Sequence, residues 1–166
     1  MPAAREVLKI DDFGPSRRWM DQAIKGGCAC GVVRYELRSR PFDCGWCHCT
    51  ICRGVSGAPA MVFATVPVTD LLFTRGESEI GTFRSSDFGR RRYCRACGTP
   101  LTMQVDHQPE TVDFAVTTLD DPEIAPPGYH IFHDSRIGWF ETADDLPRHA
   151  RFRPGTRGLE GTEPPT

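Results

Sequence analysis

Val33, Tyr35 and Leu37 alternate with Arg34, Glu36 and Arg38, the period of two expected of a half-buried strand, whose successive side chains leave opposite faces. Short runs of similar character recur at 61–66, 71–74, 80–84, 101–105, 111–117 and 130–132. Gly, Pro or Asp punctuates most of the intervals, as where turns join strands. No window sustains a helical period. Short strands at this spacing predict a mainly β fold, an antiparallel sandwich or barrel with little helix. Residues 26–153 are expected to form the folded domain. Phe13-Gly14-Pro15 breaks any helix before it, so residues 1–25 read as a leader or edge segment. The aromatic-free stretch 154–166 reads as a disordered tail.

Composition narrows the setting. A chain of 166 residues, 39% hydrophobic and 25% charged, is an ordinary globular domain with room for a core. No stretch approaches the roughly 18 apolar residues of a membrane span. Arg5, Glu6, Lys9 and Asp11 interrupt the N-terminal apolar positions, which excludes a secretory signal and predicts a cytoplasmic protein with no membrane partner. A formal charge of −2 argues against a nucleic-acid partner, which calls for a basic footprint. Oligomeric state is not encoded in any of these numbers.

The eight cysteines change the picture. In a chain without an export signal they point to metal or redox chemistry ahead of disulfides. Seven of them fall in three clusters, Cys28/Cys30, Cys47/Cys49/Cys52 and Cys94/Cys97, with Cys44 as the outlier. A C-x-C disulfide would close a strained ring, whereas such thiols converge readily on zinc. A structural zinc takes four ligands and a catalytic one keeps a position open, so seven thiols divide into four plus three. Spacing leaves two partitions open. If Cys44/Cys47 and Cys94/Cys97 are paired turns of a zinc ribbon, then Cys28, Cys30, Cys49 and Cys52 make a second closed site. Alternatively Cys28, Cys30, Cys94 and Cys97 close one site, and Cys47, Cys49 and Cys52 hold an open one.

Gly26-Gly27-Cys28-Ala29-Cys30-Gly31, Cys47-His48-Cys49-Thr50-Ile51-Cys52-Arg53 with Ser56-Gly57, and Arg92-Tyr93-Cys94-Arg95-Ala96-Cys97-Gly98-Thr99-Pro100 stand in this order along the chain. Together with His130, Asp134-Ser135, Trp139 and Asp144-Asp145-Leu146-Pro147, they resemble the glutathione-dependent formaldehyde-activating family, which also includes centromere protein V. The resemblance covers about residues 26–150. It implies a Mss4-like, zinc-stabilised β fold with two zinc ions per chain. It assigns Cys28, Cys30, Cys94 and Cys97 to a structural zinc, and Cys47, Cys49 and Cys52 to a catalytic one. Cys44 has no counterpart in the family pattern and is expected to lie off the metal.

The resemblance further implies a carbon–sulfur lyase, or thiol–aldehyde adduct synthase, with glutathione as the thiol and formaldehyde or another aldehyde as its partner. An open three-thiolate zinc suits that chemistry, because it removes a thiol's proton while leaving the sulfur nucleophilic. The reading from a different class is a non-catalytic zinc-stabilised binding module of the same fold. A methionine-sulfoxide reductase is a third reading, and it lacks a separate nucleophilic cysteine beyond Cys44. Arg53, beside the open site, is a candidate substrate contact. His48 is expected to point away from the metal in a packing role. Arg90-Arg91-Arg92 with Arg95 reads as a solvated charged edge, or else as a neutraliser of the four-thiolate zinc or a carboxylate clamp. Ser56-Gly57 reads as a turn, Trp46 as a core or rim aromatic, and His130 and His133 as structural, with at most one of the two facing the core.

Overall fold

A computed structural model describes residues 23–154. The alternating runs become strands: β2 (Arg34–Leu37), β4 (Met61–Pro67), β5 (Leu71–Arg75), β6 (Ile80–Arg84), β8 (Pro100–Val105), β9 (Thr111–Ala115) and β10 (His130–Ile131). Three further strands carry no such signature, namely β1 (Ile24–Gly27), β3 (Phe42–Cys47) and β7 (Gly89–Cys94). One short α-helix, α1 (Thr50–Ser56), follows β3. The mainly β expectation holds. The expected leader and tail lie almost wholly outside the described residues, and Ile24 and Lys25 begin β1.

The strands form a three-stranded sheet, β1-β2-β5, and a seven-stranded sheet, β10-β3-β4-β9-β8-β7-β6. Every pairing is antiparallel except that of β10 with β3. The core lies between the two sheets: Tyr35, Leu37 and Leu71 from the smaller meet Ala64, Val66, Val112 and Phe114 from the larger. Full burial of side chains such as Leu37 or Phe114 contributes about 2–3 kcal/mol each before entropy is counted. Tyr35 is fully buried, and its hydroxyl is satisfied by Thr118 Oγ1 at 2.7 Å. That ring lies directly on Gly26, where an added Cβ would sit 2.4 Å from Tyr35 Cζ, so β1 can pack there only as glycine. Among the described residues no helix is long and apolar enough to cross a membrane.

Candidate metal centres

Two strand ends from different sheets build the first centre. Cys28 follows β1 of the smaller sheet, and its carbonyl accepts from the Gly31 amide at 2.9 Å. Cys94 closes β7 of the larger sheet, and its carbonyl accepts from the Gly98 amide at 2.8 Å. Each turn is completed by a glycine in the left-handed region, Gly31 at φ 75° and Gly98 at φ 76°. Thr99 Oγ1 links the two turns, accepting from the Ala29 amide at 3.1 Å and lying 3.1 Å from Cys97 Sγ. The sulfurs of Cys28, Cys30, Cys94 and Cys97 lie within 4.8 Å of one another. Cys28 and Cys94 are buried, while Cys30 and Cys97 are exposed.

The second centre comes from one continuous stretch. Cys47 ends β3, Cys49 caps α1, and Cys52 lies in the helix's first turn. The Cys49 sulfur accepts from the Cys52 amide at 3.3 Å, using a donor that a helix start leaves unpaired. At the other end Gly57 caps the helix at φ 63°, so Ser56-Gly57 is a helix terminus rather than a free turn. The three sulfurs lie within 4.8 Å of one another, and all three residues are buried.

Cys44 is not part of either group. Residues three apart on a strand face opposite ways, and the Cys44 thiol donates to the Ala125 carbonyl at 2.9 Å on the other side from Cys47. Burial and then Asp43 push it up to about 12. The tight turn that a C-x-x-C suggests at Cys44/Cys47 is therefore a strand.

His48 also turns away from the sulfurs. Its ring is 2% exposed, and Nε2 lies 2.8 Å from His130 Nδ1. His130 Nε2 donates in turn to the Asp144 carboxylate at 3.1 Å, which leaves His130 Nδ1 to accept from His48. Trp46 stacks on His130 with ring centroids 6.0 Å apart. Phe132, left-handed at φ 53°, bends the chain so that His133 also meets the His48 ring, at 5.3 Å between centroids. Both histidines thus join one cluster, because β10 stops after two residues and the strand parity that would separate them is lost.

The arginine run corrects the sequence reading. Arg90 and Arg92 are exposed as expected, Arg90 against Asp106 and Arg92 over the Phe73 ring. Arg91 is 4% exposed and crosses to the three-thiol centre, where Nη2 donates to Cys52 Sγ at 3.2 Å and Nε to Ser85 Oγ at 3.0 Å. A buried guanidinium needs a negative partner, so its position fits a Cys52 sulfur carrying charge, as a metal-bound thiolate does. The donor set fits a soft or borderline cation in both centres.

A cavity of about 560 Å³ opens against Cys47, Cys49, Cys52 and Arg91. Arg53 is not among the residues lining it. Its wall includes Asp113, whose carboxylate accepts from Thr65 Oγ1 at 2.7 Å and is pushed up to about 6 by burial. Asp113 does not stand out in the sequence as a site residue, and Arg91 does so only as one of the arginine run. The one available signal was the proximity of the arginine run to cysteines.

The sequence model of a family described as glutathione-dependent formaldehyde-activating enzyme matches residues 23–135. An uncharacterized lyase of Schizosaccharomyces pombe is 30% identical over 78 residues, 46% of this chain and 54% of that protein. The chain thus spans about half the length of that relative. A crystal structure of a Rhodobacter sphaeroides protein is 29% identical with a TM-score of 0.48, over 58% of this chain and 88% of that one.

Proposed function

We propose that this chain, which belongs to the glutathione-dependent formaldehyde-activating enzyme family, is a carbon–sulfur lyase that makes and breaks thiol–aldehyde adducts. Its reacting centre is a metal held by Cys47, Cys49 and Cys52, and two zinc ions per chain are part of the reading. Cys28, Cys30, Cys94 and Cys97 hold the other zinc, as a purely structural one. The observation that carries the proposal is a buried sulfur trio with no fourth protein donor grouped with it among the described residues, on the wall of a cavity of about 560 Å³. The name of the fission-yeast relative supports the lyase class.

Cys47, Cys49 and Cys52 would hold a zinc ion, which when bound would supply Lewis acidity that lowers the pKa of a substrate thiol. The chain's own contribution is positional. Arg91 sets a fixed positive charge against the trio, and the Asp144–His130–His48 chain anchors the residue between Cys47 and Cys49. Burial of all three cysteines limits water at the sulfurs. In cleavage the adduct's hydroxyl gives up its proton, a carbonyl forms as the carbon–sulfur bond breaks, and the bond pair leaves with sulfur. That sulfur takes up a proton to become the free thiol, so no oxidant or reductant is consumed.

The test is metal analysis joined to exchange NMR between adduct and free components, with glutathione and formaldehyde as the reference pair. Wild type should carry two zinc ions and accelerate exchange, while Cys52→Ala should keep its fold, lose about one zinc and lose the acceleration. Retention of both zinc ions, or of the acceleration, in Cys52→Ala refutes the assignment.

A further inference from the structure

The cavity beside the trio has a chemistry that glutathione does not match. We infer that the thiol component taken by this chain carries an apolar, ring-sized organic group and no net negative charge. This rests on the reading that Cys47, Cys49 and Cys52 form the reacting centre.

The first observation is size and lining. At about 560 Å³ the cavity falls in the range that holds a drug-sized ligand, far more than formaldehyde and a bare sulfur require. Met61, Phe63, Phe88, Met103, Ile131 and Phe152 contribute to its wall. Aromatic and methionine side chains from separate segments give a polarizable surface that adapts to ring-shaped ligands.

The second observation is charge. Among the described residues the wall carries three carboxylates, Asp43, Glu110 and Asp113, against two guanidiniums, Arg91 and Arg153. Arg153 is paired with Asp43 at 2.5 Å, and its guanidinium also lies over the Tyr129 ring at 5.2 Å. Arg91 is engaged by Ser85 and Cys52. The Asp113 carboxylate is bonded by the Thr65 hydroxyl rather than by a cation. Glutathione brings two carboxylates and one ammonium at neutral pH. A site built for it would offer a forked cation to a carboxylate, whereas both guanidiniums here are already committed. An uncharged aryl or branched alkyl thiol meets no such opposition, and its burial is favoured by every apolar atom it covers.

The chemistry is unchanged by this choice. The thiol sulfur bonds the aldehyde carbon, the carbonyl pair moves to oxygen, and the proton lost from sulfur ends on that oxygen.

The experiment uses the full chain loaded with zinc and holds the aldehyde fixed as formaldehyde. Benzyl mercaptan and glutathione are compared by calorimetric binding and by exchange NMR of their adducts. The expected result is binding of benzyl mercaptan at least about tenfold tighter than glutathione, with exchange of its adduct accelerated more. Met103→Arg, which puts a cation on the apolar wall, should cut the preference about tenfold, and Phe88→Ala serves where that variant does not fold. If glutathione binds as well or better, the inference is overturned, while acceleration of its adduct leaves the lyase reading standing. If benzyl mercaptan is preferred but neither adduct is accelerated, the lyase reading fails and the apolar site stands. If neither thiol binds, both are wrong.

Discussion

The two sulfur groups are built by opposite means. The four-thiol group joins turns that follow β1 and β7, one from each sheet, and leaves two of its sulfurs exposed. The trio is gathered from one strand end and one helix start, and all three of its residues are buried. A metal in the first fastens distant parts of the chain, so its binding free energy is folding free energy. A metal in the second fastens almost nothing that the local backbone does not already hold. On the function proposed above, this difference separates a clasp from a working site, although the ligand chemistry is the same.

The largest expected effect breaks the clasp. Cys94→Ala should abolish cooperative thermal melting and lower zinc content, because structural zinc contributes on the order of 10 kcal/mol in small domains. A soluble variant that melts cooperatively with unchanged zinc would erase the distinction drawn above. Next comes Arg91→Met, which removes the cation from the trio while preserving length and apolar bulk. Zinc affinity of the second centre should fall about 10–100-fold, as for other groups that support a ligand from behind. Competition with a chromophoric chelator reads this directly, and the clasp should be unaffected.

Asp113 supplies a smaller, pH-dependent effect. Its folded-state value of about 6 lies above the ordinary 3.8. The folded state therefore holds this proton more tightly, and the associated stability is present below about pH 4 and lost as pH rises through 6. Asp113→Asn should gain on wild type by about 2–3 kcal/mol between about pH 4 and 7.5, measured by urea unfolding. A constant difference across that window would show that the carboxyl ionises freely. The smallest effect belongs to Cys44→Ser. Both zinc ions should remain and thiol binding should change less than about twofold, since its thiol bonds a backbone carbonyl. Loss of a zinc from this variant would make the trio a closed quartet.

What the sequence made legible follows from how each element encodes itself. β2 alternates cleanly, so its inward Tyr35 and Leu37 could be read directly. β3 could not, because Asp43 at φ 56° and a register shift between Phe42 and Gly45 interrupt its period. β7 hides its two faces by using arginine on both. Both of those faces are occupied: Arg92 shares the Cys94 face and lies over Phe73, whereas Arg91 takes the opposite face towards Cys52, so no single inward face could be counted. At seven residues α1 is too short for a helical period to emerge. The cysteine clusters were visible from spacing, but their division was not, since spacing carries no information about which strand ends meet. The structure gathers the sulfurs into the four and the three that the family resemblance implies. The cavity lining was invisible for the same reason: Met61, Met103 and Phe152 come together only when the sheet is assembled.

The clasp has a consequence for the order in which the chain acquires its structure. Cys30 and Cys94 are 64 positions apart, and six strands lie on the path between them. Closing so long a loop costs more chain entropy than closing the few residues that separate Cys47 from Cys52, and pairings of high sequence separation form late. In refolding with limiting zinc, the trio should therefore capture metal first, while the two sheets are still finding each other. The clasp then closes last, as the bolt on a finished assembly rather than the seed of one.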